Sequence, residues 1–109
     1  MKKIKINEKM TYRGQTKLVG DLLWEMLEGV PAPEGKEAVR QIDLADDLKE
    51  LMDKKAEWFS YEDENHARLE RVLTEGAKLN APRWIAPIQR AIEAAVSFKA
   101  EVPKEETKT

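Results

Sequence analysis

The alternation of apolar and polar positions divides the chain into one extended segment followed by four helical ones. Lys3-Ile4-Lys5-Ile6-Asn7 repeats with period two, which is the signature of a short strand with one buried face. Met10 and Tyr12 continue an alternation and Gly14 ends it, so residues 3–13 predict a small hairpin or a single strand. Two strands alone are marginal in water, so this piece must lean on helices or pair with another chain.

A first helix over residues 16–28 follows, with Thr16 as its cap and Val19, Leu22, Leu23, Met26, Leu27 and Val30 as its apolar positions. Gly29 is placed to stop it, and Pro31 to Gly35 is a turn-rich connection. The most informative stretch is the second helix, over 36–59, which carries two apolar stripes. Ala38, Ile42, Ala45, Leu48, Met52, Ala56 and Phe59 follow the spacing of a core-facing helix. Leu44, Leu51 and Trp58 recur every seven residues on an adjacent face, and the two sets cover roughly 200° of the surface, about twice what a surface helix buries.

Ser60-Tyr61-Glu62-Asp63 matches a capping pattern for a third helix over 61–75, with Leu69, Val72 and Leu73 inward and Gly76 just past its end. Pro82 argues against regular helix in Ala77–Ile85. Pro87 at a first helical position then opens a fourth helix over 86–99. Residues 101–109 have almost nothing to bury and predict a disordered tail. The expected fold is therefore mainly α: about four helices in a single domain over 1–100, with a short N-terminal β-strand or hairpin.

A two-striped helix has to be covered on two sides, by its own domain or by a partner. The Leu44, Leu51 and Trp58 face predicts burial between chains, as a homo-oligomer or by docking on a larger protein complex. Trp24 lies well off the centre of the first helix's stripe. It either packs under the N-terminal strand or offers an anchor to a partner, since Trp is favoured at binding hot spots.

Charge adds a second picture. The net charge is only −2, yet residues 1–20 hold six Lys or Arg against Glu8, while residues 21–76 hold seven basic and sixteen acidic side chains. A basic arm of Lys2, Lys3, Lys5 and Lys9 ahead of an acidic body opens an alternative role as a nucleic-acid-associated regulator. Against it, the body repels phosphate and the arm lacks interleaved aromatics and clustered Arg. Composition bounds the rest: 109 residues without cysteine give room for one domain and no disulfide framework. The first ten residues hold no apolar run of signal-peptide length, and no segment approaches the roughly 18 apolar residues of a membrane span. A cytoplasmic protein without a membrane partner is expected.

Candidate chemistry is thin. His66 is the lone histidine, and on a helix it would lie between Glu62 and Glu70 on one face, a spacing that could hold a divalent metal or raise its proton affinity. A zinc site wants a further His or Cys, so a solvated or salt-bridged histidine is preferred. Ser60 is explained as a cap, Ser97 has no activating context, and the isolated glycines form no phosphate-binding loop. Asp43, Asp46, Asp47 and Glu50 read as the solvated face of a helix. No enzyme, cofactor or metal is expected.

The order of a lysine-rich strand, a helix, a long charged helix and a Ser-Tyr-Glu-Asp-Glu opening resembles small accessory and assembly proteins of tailed bacteriophages and prophages. The residues that carry it are Ile4-Lys5-Ile6-Asn7, Ile42 to Leu48 and Ile88 to Ala95. The resemblance implies a protein that works by contact and transfers no site.

Overall fold

The computed structural model describes residues 1–98; the tail predicted over 101–109 lies outside them. Among the described residues the chain runs β1 (Lys2–Lys5), β2 (Lys9–Tyr12), β3 (Gln15–Leu18), α1 (Val19–Gly29), α2 (Gly35–Asp53), β4 (Trp58–Tyr61), α3 (Glu64–Gly76), α4 (Pro82–Glu93) and β5 (Val96–Ser97). Strands β4, β1 and β5 form one antiparallel sheet in that order, and β2 and β3 form a separate hairpin. This is a mixed α/β domain with two sheets. The expectation of a mainly α protein with one minor β element is wrong.

The largest correction concerns the second helix, which stops at Asp53 instead of Phe59. Lys55 takes a left-handed φ of 58°, the Lys55 amide donates to the Met52 carbonyl and the Ala56 amide donates to the Leu51 carbonyl. That bond pair is a Schellman closure, a motif that glycine usually announces because it alone adopts this conformation without strain. With lysine in the position, the helical spacing runs on in the sequence although the helix does not. Trp58-Phe59-Ser60-Tyr61 is then free to extend, with Phe59 and Tyr61 buried and Ser60 exposed. Lys2 pairs with Tyr61 and Ile4 with Phe59 along β1.

Three smaller corrections have local causes. Thr16 does not cap a helix: it lies in β3, where its hydroxyl bonds that of Thr11, and α1 begins three residues later with the Leu18 amide donating to Asp21 Oδ2. Ser60 is likewise no cap, and α3 starts at Glu64. Pro82 opens α4 at its first position, where a missing N–H is harmless, and Pro87 falls inside the helix and removes the bond to the Arg83 carbonyl. Residues Val96 and Ser97, expected on that helix, pair with β1 instead.

The core lies between the three-stranded sheet and the helices. Ile4 and Ile6 meet Leu23, Leu27, Leu48, Phe59, Leu69, Ile88 and Ile92 there. Helix α1 touches all three other helices. Gly20 lets its first turn approach the chain after β1: its amide donates to the Ile6 carbonyl, and a Cβ there would stand 2.8 Å from Met52 Sδ.

On α2 the buried set is Gln41, Leu44, Ala45 and Leu48, whereas Ile42, expected inward, is exposed. Gln41 is buried because it finishes a neighbour. Its Nε2 donates to the carbonyls of Leu27 and Val30 at the end of α1, and its Oε1 accepts from Arg71 Nη2 on α3. One turn earlier, the Arg68 guanidinium forks onto both carboxylate oxygens of Glu37 at 3.0 Å and also donates to Asn65. This clasp holds the Glu37 carboxyl below its ordinary value of 4.5. No helix among the described residues is long and apolar enough to cross a membrane.

Two outcomes follow for stability. Lys55→Gly relieves the left-handed strain and should stabilise the fold by about 0.5–1 kcal/mol, raising Tm by about 3–6 °C in a thermal melt. A carboxyl held low in the folded state gives stability that is present above its unfolded value and lost as pH falls through the folded one. Urea titrations at pH 6 and pH 3 should therefore show a smaller loss on acidification for Glu37→Gln than for the parent chain.

Candidate functional site

The residues expected to form an interface do not come together. Leu44 is only 3% exposed and belongs to the core. Leu51 is half-buried and packs against that core from α2, while Trp58 stands on β4, so no helix face carries all three. Trp24 is half-buried on α1 with Lys49 Nζ 5.6 Å from its ring centroid. The lysines fare similarly. Lys2 Nζ donates to Ser97 Oγ, Lys3 Nζ lies 4.8 Å over the Trp58 ring, and Lys5 Nζ stands 3.7 Å from Glu57. They are held in the central strand of a sheet, and only Lys9 of the four stands beyond it.

His66 is also engaged. Its Nδ1 shares a hydrogen bond with the Tyr61 hydroxyl at 2.9 Å and the two rings stack, while Nε2 lies 3.9 Å from Glu70. Glu62 precedes the helix and does not share this face. Burial, with Glu70 and Asp63 nearby, pushes the Tyr61 hydroxyl up to about 12, so it stays protonated at neutral pH. None of the three residues lines the cavities described below. No group of three or more His, Asp or Glu among those residues is arranged to hold a metal.

An open concavity lies elsewhere, between the hairpin and the last helix. Two open cavities of roughly 490 and 450 Å³ adjoin through Met10, Pro87 and Arg90 and make one trough along β2 and α4. Helix α4 is built for this. Ile88 and Ile92 face the core, and Pro87, Arg90, Ala91 and Ala94 follow helical spacing on the neighbouring face that borders the trough. The small side chains keep the wall low. Trp58 closes one end, and Tyr12 meets Trp84 edge-to-face at 5.5 Å at the other.

The strand side of the trough is a free edge. Arg13 and Gly14, both at positive φ, make a two-residue turn, and Val19 donates to the Glu8 carbonyl at 2.9 Å. Alternation along the ladder then aims the backbone groups of Glu8, Met10 and Tyr12 at β3 and those of Lys9 and Thr11 away from it. Successive residues Glu8 to Tyr12 all border the trough while none of β3 does, which places that outer edge along it. Among the described residues no backbone bond reaches Lys9 or Thr11 from outside the hairpin. Lys9, Arg83 and Arg90 stand around the opening, and none has a carboxylate within ion-pair distance among those residues. Glu8 is the one carboxylate on the lining among the described residues.

No family model, curated protein or solved structure matches this chain. The site therefore rests on its own geometry. Tyr12, Pro87 and Arg90 escaped the sequence reading as site residues, although one signal was available: the small residues spaced three and four apart beside the apolar stripe of α4.

A substitution separates core from surface at the position expected to mediate assembly. Leu44→Ala should destabilise the fold by about 2–5 kcal/mol in urea unfolding. Light scattering should return the same solution mass for that variant as for the parent, because Leu44 meets its own domain and not a partner.

Proposed function

We propose that this protein is a non-enzymatic interaction protein that docks on a partner protein or a larger protein assembly through the trough between β2 and α4. The observation that carries the reading is the trough itself: an open concavity with an unpaired strand edge, partly apolar walls and cations that lack partners among the described residues. Binding sites characteristically combine an apolar surface with a few polar groups that fix orientation. The pattern-level resemblance to phage accessory proteins supports the same kind of role. An enzymatic reading has little support, because the perturbed tyrosine is paired to the lone histidine away from the concavity. The nucleic-acid reading loses much of its basis once Lys2, Lys3 and Lys5 are engaged within the sheet.

Site-specific photocrosslinking in the native host tests this. A photoreactive residue in place of Ala94, which is exposed at the trough, should give discrete adducts whose mass tells a second copy from a different protein. The same probe in place of Ala67, exposed on α3, should give none of those adducts. Identical patterns from both positions, or no adduct from Ala94, would overturn the proposal.

A further inference from the structure

Resting on that docking reading, we infer that the trough receives an extended acidic polypeptide segment, which adds to β2 as a third strand of the hairpin sheet and sets its carboxylates against Lys9, Arg83 and Arg90. The backbone argument comes first. The outward N–H and C=O groups of Lys9 and Thr11 present two residues' worth of strand edge, bordered along its length by an open channel. An incoming strand satisfies such groups in register, and its alternate side chains fall toward and away from the channel. A nucleic-acid strand has no matching repeat of donors and acceptors.

Charge then selects the strand. Lys9 stands at one side of the channel and Arg83 and Arg90 at the other, with Glu8 alone opposing them among the described residues. A second copy pairing edge to edge would set its own Lys9 and Arg13 against those of the first, so that occupant is disfavoured. An acidic segment meets complementary charge on both walls. The aromatic rings do not favour nucleotides. Tyr12 and Trp84 are half-buried and pack on each other, with Arg13 5.4 Å from the Tyr12 centroid and Lys17 5.6 Å from that of Trp84. A base seeking a stacking partner there competes with a cation already in place.

The test selects octapeptides from a random displayed library against the whole chain and then titrates the enriched peptides, with an oligothymidylate ten nucleotides long as competitor. Enriched sequences should carry alternating Asp or Glu. Their binding should slow exchange of the Lys9 and Thr11 amides at least tenfold, with Glu8, Met10 and Tyr12 little changed because those amides already face β3. Arg90→Glu, on an exposed position that does not endanger folding, should weaken binding at least tenfold. Thr11→Pro removes an outward N–H that the hairpin does not use and should abolish binding, with the circular dichroism spectrum confirming a folded chain.

No enrichment, enrichment of neutral or basic peptides, protection elsewhere than at Lys9 and Thr11, or displacement of peptide by the oligonucleotide at equal concentration overturns the inference. If crosslinks from Ala94 persist while the library yields nothing, only strand addition fails and the docking reading stands. If both fail, both are wrong.

Discussion

The fold depends on β1 being paired along both edges. Four residues near the N-terminus join β4, from the middle of the chain, to β5, from beyond the last helix, and Ile4 pins the shared face into the core. Both pairings close long loops, so a loop-closure cost of this topology falls there. They also set the geometry of everything after Lys5. With β1 fixed, the chain leaves toward Ile6, whose amide bonds Glu57 and whose carbonyl accepts from Gly20, and the hairpin is left standing beside α4. The trough is the space between those two elements.

The helices were legible in the sequence where burial is periodic and illegible where a terminus lacks its usual residue. Leu22, Leu23, Met26 and Leu27 announce α1, and Leu69, Val72 and Leu73 announce α3, because each stripe packs on one face only. The end of α2 is hidden because lysine holds the left-handed position that glycine would mark. The apparent second stripe is thus two unrelated things. Leu44 and Leu51 face the domain from a helix, and Trp58 belongs to a strand that happens to fall seven residues later. Gln41 shows a complementary failure. Polar residues in a periodic pattern read as solvent-facing, yet this amide is buried because it completes the end of α1 and meets Arg71.

The site was less legible than the fold, since it is made by elements far apart in sequence. Lys9 and Arg90 become neighbours of one channel only because β1 brings its two ends together. The charge asymmetry read along the chain survives in altered form. The acidic body becomes an α2 face of Asp43, Asp46, Asp47 and Glu50, where partial desolvation, and after it repulsion from the neighbouring carboxylates, raises the Asp47 carboxyl. The basic residues divide between those the structure engages, Lys2, Lys3 and Lys5 in the sheet and Lys17 on Glu25, and Lys9, Arg83 and Arg90, which find no carboxylate among the described residues. The basic arm is a structural strand, and the cations that lack a carboxylate partner among the described residues lie after it.

An exposed strand edge invites pairing with any chain, and proteins commonly guard such edges with lysine and by keeping the strand short. β2 has both features: four residues, with Lys9 on it and Arg13 at the turn. Those guards alone would account for the cations of the hairpin, but not for Arg83 and Arg90, which are on a different element across the channel. Nor do they account for Arg13 itself. A type I′ turn favours Asn or Gly at that position, and an arginine held at φ 53° costs stability that a simple guard could avoid from a neighbouring, unstrained site. The same charges that repel a copy of this chain attract a carboxylate-bearing one. Protection from self-pairing and selection of an acidic partner are then one electrostatic property of one edge, and the cations of α4 distinguish a selective edge from a merely defended one.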